Sequence, residues 1–92
     1  MIVWDEAKRQ ANLKKHGLDF ADAHLVYENP EKVTFISPRN AEERKLDVAI
    51  VEMQGRALTL VYVERGENIR AISFRPSSRV ERKAYGKAHA EK

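Results

Sequence analysis

Ninety-two residues without a cysteine allow one small domain and exclude a disulfide scaffold or a thiolate metal site. Apolar residues at 42% and charged residues at 34% fit a folded soluble protein rather than a disordered one. The net charge of +3 is uneven: residues 1–64 hold nine Lys/Arg against eleven Asp/Glu, whereas residues 65–92 hold eight against three.

In chain order, Ile2-Val3-Trp4 is apolar and extended in character. Asp5 stands where an N-cap belongs, before a helix over Glu6–His16, and Gly17 supplies the left-handed stop. Trp4, Ala7 and Ala11 give this helix a narrow apolar stripe. A second short helix follows Asp19, with Phe20, Ala23, His24 and Tyr27 on one side, and Asn29-Pro30 ends it. Four strands are then expected: Val33–Ser37, Leu46–Met53, Ala57–Glu64 and Asn68–Arg75. The polar segment Pro38–Lys45 is a loop, and turns at Gln54-Gly55-Arg56 and Arg65-Gly66-Glu67 make consecutive hairpins. Pro76 breaks the last strand. Ser78-Arg79-Val80-Glu81 is a capping box that starts a final helix at Arg79, with Val80, Ala84 and Ala88 inward. The expected fold class is α+β: N-terminal helices, a four-stranded antiparallel sheet with helices on one face, and a C-terminal helix.

The basic C-terminal third points to an anionic partner, nucleic acid first and an acidic protein segment second. No apolar run is long enough for a membrane helix, and the N-terminus has no signal-peptide pattern. The absence of cysteine fits a reducing cytoplasm. Strict alternation in the last strand sends Ile72 and Phe74 toward the helices and Ala71, Ser73 and Arg75 to the open face. Arg75, Arg79 and the helix N-terminus either form a phosphate site or, alternatively, the arginines pair with carboxylates such as Glu81. Arg82, Tyr85 and His89 share one stripe, where an aromatic among cations suits RNA and where Tyr85 either acts in chemistry or anchors the helix. Glu64 is a base or the ion-pair partner of Arg65. His24 reads as a packed residue and His89 as inert. The histidine spacing makes a poor metal site, so neither metal nor cofactor is expected.

Taken together, Trp4-Asp5-x-x-Lys8-x-x-x-Asn12-x-x-Lys15-His16-Gly17-x-x-Phe20-x-x-Ala23 resembles the opening of the BrnT toxins. Gly55-Arg56, Leu58, Val61-Tyr62, Glu64-Arg65-Gly66, Ile69-Arg70-x-Ile72-Ser73-x-Arg75, Arg79-x-Glu81-Arg82 and Tyr85 continue the likeness, while Asn29–Lys45 departs from it. The resemblance implies a RelE-like ribonuclease fold and metal-independent RNA cleavage that inhibits translation. It also implies a type II pairing with BrnA, a ribbon-helix-helix antitoxin, in a complex through which operator DNA is bound. On that reading Arg70, Arg75 and Arg79 meet the phosphate and the charge of the transition state. Tyr85 is the acid or base, with His16 and Glu64 as alternates, and Lys8, Lys15 and Arg82 hold the RNA backbone. The rival reading is a non-catalytic module that binds nucleic acid or antitoxin through the same surface.

Overall fold

The computed structural model describes residues 1–37, 43–51 and 55–90. Its elements are β1 (Ile2–Val3), α1 (Glu6–His16), a single 3₁₀ turn (Phe20–Asp22), α2 (His24–Tyr27), β2 (Val33–Ser37), β3 (Arg44–Val51), β4 (Arg56–Arg65), β5 (Asn68–Pro76) and α3 (Arg79–Ala90). Local chemistry sets the boundaries of α1. The Asp5 carboxylate accepts the Ala7 and Lys8 amides, and Gly17, at φ 70°, returns its N–H to Leu13 O. The hairpin between β4 and β5 pairs Arg65 with Asn68 across Gly66, whose φ of 61° favours glycine.

The α+β class holds, but the expected four-stranded antiparallel sheet does not. Among the described residues the sheet has five strands in the order β1-β5-β4-β3-β2, and β1 lies parallel to β5. Two residues are too few to display an alternating pattern, so Ile2-Val3 carried no strand signal beyond its composition. The other pairings are antiparallel. The second expected strand begins earlier, at Arg44; residues 38–42 of the expected loop, and Glu52, Met53 and Gln54, lie outside the described residues.

The core lies between the sheet and α1–α2. Ala49, Val51, Leu58, Leu60, Tyr62, Ile69, Ala71 and Phe74 face Leu18, Phe20, Ala23 and Val26. Ala71 and Phe74 share this face because β5 carries a bulge: Val61 pairs with Ser73 and Tyr62 with Ala71, leaving Ile72 as the extra residue. Strict alternation therefore failed at Ala71. The same bulge puts Arg70, Ser73 and Arg75 together on the opposite face, where direct opposites are Val63, Val61 and Thr59.

Of the expected Trp4/Ala7/Ala11 stripe, Trp4 packs on the core against Phe20, but α1 itself docks through polar groups. Ala7 and Ala11 are exposed, and the inward side is Arg9, Asn12, Leu13 and His16. Arg9 makes a bidentate pair with Asp19, at 2.7 and 2.9 Å. Asn12 closes the free edge of β5 as another strand would. Its side-chain nitrogen donates to Phe74 O (2.8 Å) and Leu18 O (2.9 Å), and its oxygen accepts the Phe74 amide (3.1 Å).

α3 also departs from expectation. It lies on the face opposite α1, since Glu81 accepts from Thr59, which alternates with the core residues Leu58 and Leu60. Helices thus flank both faces, not one. Val80 is 76% exposed, and the partly covered residues of α3 are Glu81, Ala84, Tyr85, Ala88 and His89. Twelve helical residues span ~18 Å, enough to cross the ~14 Å from β5 to β2. At the far end His89 bonds Glu31 O at 2.7 Å, so it is a docking residue rather than an inert one. His24 is exposed, its ring bonded to its own turn at Ala21 O, and is not packed in the core.

Candidate active site

Basic residues of α1 face the edge of β5. A groove of about 250 Å³ runs between α1 and the edge of β5, lined by Lys8, Ala11, Asn12, Lys15, His16, Ile72 and Ser73. Its position follows from the topology: β1 covers β5 only at Ile69 and Arg70, so beyond them α1 forms the neighbouring wall. Lys8 and Lys15 are exposed, and His16 is half-buried at the helix C-terminus. Burial, followed by the charges of Lys15 and Arg75, holds the His16 imidazole below the usual histidine range. At neutral pH it is therefore an uncharged acceptor flanked by cations.

Arg75 is already paired. Its two terminal nitrogens donate to the two Glu81 oxygens at 2.8 and 2.9 Å. The Thr59 hydroxyl (3.0 Å) and the Ser78 amide (2.8 Å) converge on the same carboxylate, and the Glu81 amide returns a bond to Ser78 Oγ. The expected capping box is present, and its glutamate occupies the anion position that the sequence offered to phosphate. Burial alone would raise the Glu81 carboxyl, but the Arg75 and Ser78 hydrogen bonds, the Arg75 charge and Thr59 outweigh it and hold it down to about 2. This pair links β4, β5 and α3. Because the folded value lies below the ordinary 4.5, its contribution is complete above that pH and is lost as pH falls toward 2. Glu81→Ala, which strands a part-buried guanidinium, is expected to cost about 2 kcal/mol at pH 7. In urea titrations that difference should shrink below pH 4.5; a difference that persists undiminished at pH 2.5 would contradict it.

The other sequence candidates are placed as follows. Arg79 is exposed in the first turn of α3, and exposed Arg82 donates to Ser77 O at 2.7 Å. Tyr85 is half-covered, its ring 4.3 Å from the His89 ring. Arg70 lies three residues of β5 before Ser73, on the same face because of the bulge at Ile72. Glu64 is an ion-pair residue, but its partner is Lys45 on β3 at 2.5 Å. That contact puts it on the α1–α2 side of the sheet, away from Arg75. The structure thus brings Lys8, Lys15, His16, Ser73 and Arg75 together, with Arg79 at the start of the next helix.

Sequence reasoning missed the structural part of Asn12, which no apolar pattern marks. It also missed Arg44, which fell in the expected loop although β3 begins there. Among the described residues no cluster of three or more His, Asp or Glu could hold a metal ion, and no helix is long and apolar enough to cross a membrane.

No curated protein matches the chain. Residues 4–81 match the family model described as "Ribonuclease toxin, BrnT, of type II toxin-antitoxin system". The match contains Lys8, Lys15, His16, Ser73, Arg75, Arg79 and Glu81, and ends before Arg82 and Tyr85. With most of its length in that match, and with the groove residues inside it, the chain belongs to the BrnT family of ribonuclease toxins from type II toxin–antitoxin systems.

Proposed function

We propose that this toxin is a RelE-like, metal-independent endoribonuclease that cuts RNA at the groove between α1 and β5. The observation that carries this reading is the half-buried His16 beside Lys15, with Lys8, Ser73 and Arg75 around it. In the proposed reaction the neutral His16 imidazole takes the proton of a ribose 2′-hydroxyl. The 2′-oxygen attacks the adjacent phosphorus, the bond from phosphorus to the 5′-oxygen breaks, and that oxygen receives a proton as it leaves. The products are a 2′,3′-cyclic phosphate and a 5′-hydroxyl. In-line geometry and cationic stabilisation of the five-coordinate phosphorus supply the acceleration.

Lys8 and Lys15 are the cations that meet the scissile phosphate. Arg75, fixed by Glu81, contributes charge rather than a free donor fork. Arg79, Arg82 and Arg70 track the flanking phosphates, and Tyr85 is the proton donor to be tested. Glu64 drops to a structural pair with Lys45. The groove lining offers cations and an imidazole rather than carboxylates, which supports chemistry that uses no divalent metal. The toxin acts in the cytoplasm, and its antitoxin is a BrnA-type ribbon-helix-helix protein through which the pair reaches operator DNA.

Purified toxin is expected to degrade single-stranded RNA in excess EDTA at the rate seen with magnesium. Cleavage that appears only with added divalent metal would overturn metal independence. The Arg75–Glu81 pairing favours a second reading, a module that binds RNA or antitoxin without cutting. Salt-sensitive RNA binding by folded protein, with no cleavage under either condition, would establish that reading instead.

A further inference from the structure

The face of the sheet opposite α1 and α2 holds three cross-strand rows. The first is Val33, Val48, Thr59 and Arg75; the second is Phe35, Leu46, Val61 and Ser73; the third is Ser37, Arg44, Val63 and Arg70. α3 is tied to the first row by Glu81 at Thr59 and Arg75, and reaches Glu31, just before β2, through His89. The third row lies farthest from these anchors. Val63, at its centre, is only 2% exposed, and the arginines on either side of it are half-covered.

The three arginines on this face differ in one respect. Arg75 has Glu81, whereas neither Arg44 nor Arg70 meets a carboxylate among the described residues, and Arg44 Nε is closed from solvent with no acceptor. Arg44 and Arg70 stand on β3 and β5, on either side of Val63. Two strand spacings put their Cα atoms ~10 Å apart, a separation that two arginine side chains can bridge to grip one anion between them. Their row is continuous with Ser73 through β5, so an anion there lies on the path of a strand leaving the α1–β5 groove. Phe35, half-covered in the adjacent row, offers a ring to a base on that path.

We propose that Arg44 and Arg70 form a phosphate clamp over Val63, which holds an RNA phosphate away from the scissile one. The inference rests on the ribonuclease reading for the path of the strand, but the clamp itself is a binding site. RNA is favoured over an acidic protein segment because the row has two arginines that meet no carboxylate among the described residues and an adjacent aromatic ring, and it continues into the groove.

The test uses a single-stranded 2′-O-methyl oligoribonucleotide, which lacks the attacking hydroxyl and so reports binding without cleavage. Fluorescence anisotropy with full-length toxin should show Arg44→Ala raising Kd about tenfold, the scale of one charge-assisted contact. The slope of log K against log salt should fall by about 0.7. Lys14→Ala, on the exposed side of α1, controls for lost charge alone and should change Kd less than about twofold. On cleavable RNA, Arg44→Ala should raise KM and leave kcat near wild type, with circular dichroism confirming the fold. An unchanged Kd and salt slope would overturn the clamp. So would normal RNA binding combined with loss of neutralisation by a co-expressed antitoxin, which would assign the face to the protein partner. RNA binding that depends on Arg44, by toxin that cuts no RNA, would leave the clamp standing and remove the ribonuclease reading.

Discussion

Replacing His16 with glutamine should lower kcat/KM for RNA cleavage by 10²- to 10⁴-fold, the range expected for loss of a general base. The side chain lines the groove at the end of α1 and does not carry the fold, so the variant should melt close to wild type. The pH profile adds a directional check. Burial and the charges of Lys15 and Arg75 all favour the neutral ring, so the acid limb of kcat/KM should fall below the usual histidine range. Arg75→Gln removes one of those charges and should move the limb upward, while Arg75→Lys should leave it nearer its place. Rates measured from pH 4.5 to 9 decide this. A His16→Gln enzyme with wild-type activity, or a limb unmoved by Arg75→Gln, would remove His16 from the role of base.

Asn12→Ala should be the most destabilising single change in α1. The side chain is 8% exposed and satisfies three backbone groups: both polar atoms of Phe74 and the carbonyl of Leu18. Alanine leaves them unmet at the junction of helix, loop and sheet edge. Each unsatisfied buried group costs about 1–3 kcal/mol. With some relief from entering water, a total of about 3 kcal/mol is expected. For a domain this size that lowers Tm by roughly 12–24 °C. Ala11→Ser, one residue earlier on the exposed side, should shift Tm by little. Thermal melts of the two variants check the claim, and a loss under 1 kcal/mol for Asn12→Ala would contradict it. Because Asn12 also lines the groove, its loss should weaken activity through α1 position even where the protein stays folded.

These two residues illustrate what a sequence can show of this molecule. Signals confined to a few consecutive residues were readable. Asp5 and Gly17 bracket α1, Gly66 sets the last hairpin, and Ser78 with Glu81 starts α3. Features that depend on distant pairing were not. The parallel contact of β1 requires Ile69 and Arg70 to lie beside Ile2 and Val3. The bulge at Ile72 follows from the register against β4, and it reverses the face of every residue on one side of it relative to simple alternation. α1 misled the apolar count because Arg9 and Asn12 dock it through hydrogen bonds.

The candidate site divides along the same line. Clustered charge and the family pattern picked out Lys8, Lys15, His16, Arg75 and Arg79. Only the fold reveals that Glu81 ties Arg75, that Glu64 turns to Lys45, and that Arg44 shares a row with Arg70. One pattern accounts for both outcomes: composition reports which charges are present, and register decides which of them face the same anion.

The chemistry at the groove is read from end-group analysis of RNA cut by purified toxin, with a matched substrate carrying 2′-deoxyribose only at the cleavage position. Attack by the 2′-hydroxyl should leave 2′,3′-cyclic phosphate and 5′-hydroxyl ends on the all-ribose strand, and no cut at the deoxy position. Ends bearing a 5′-phosphate, or equal cleavage of the deoxy substrate, would show that the nucleophile is not the 2′-hydroxyl and would contradict the mechanism built on His16.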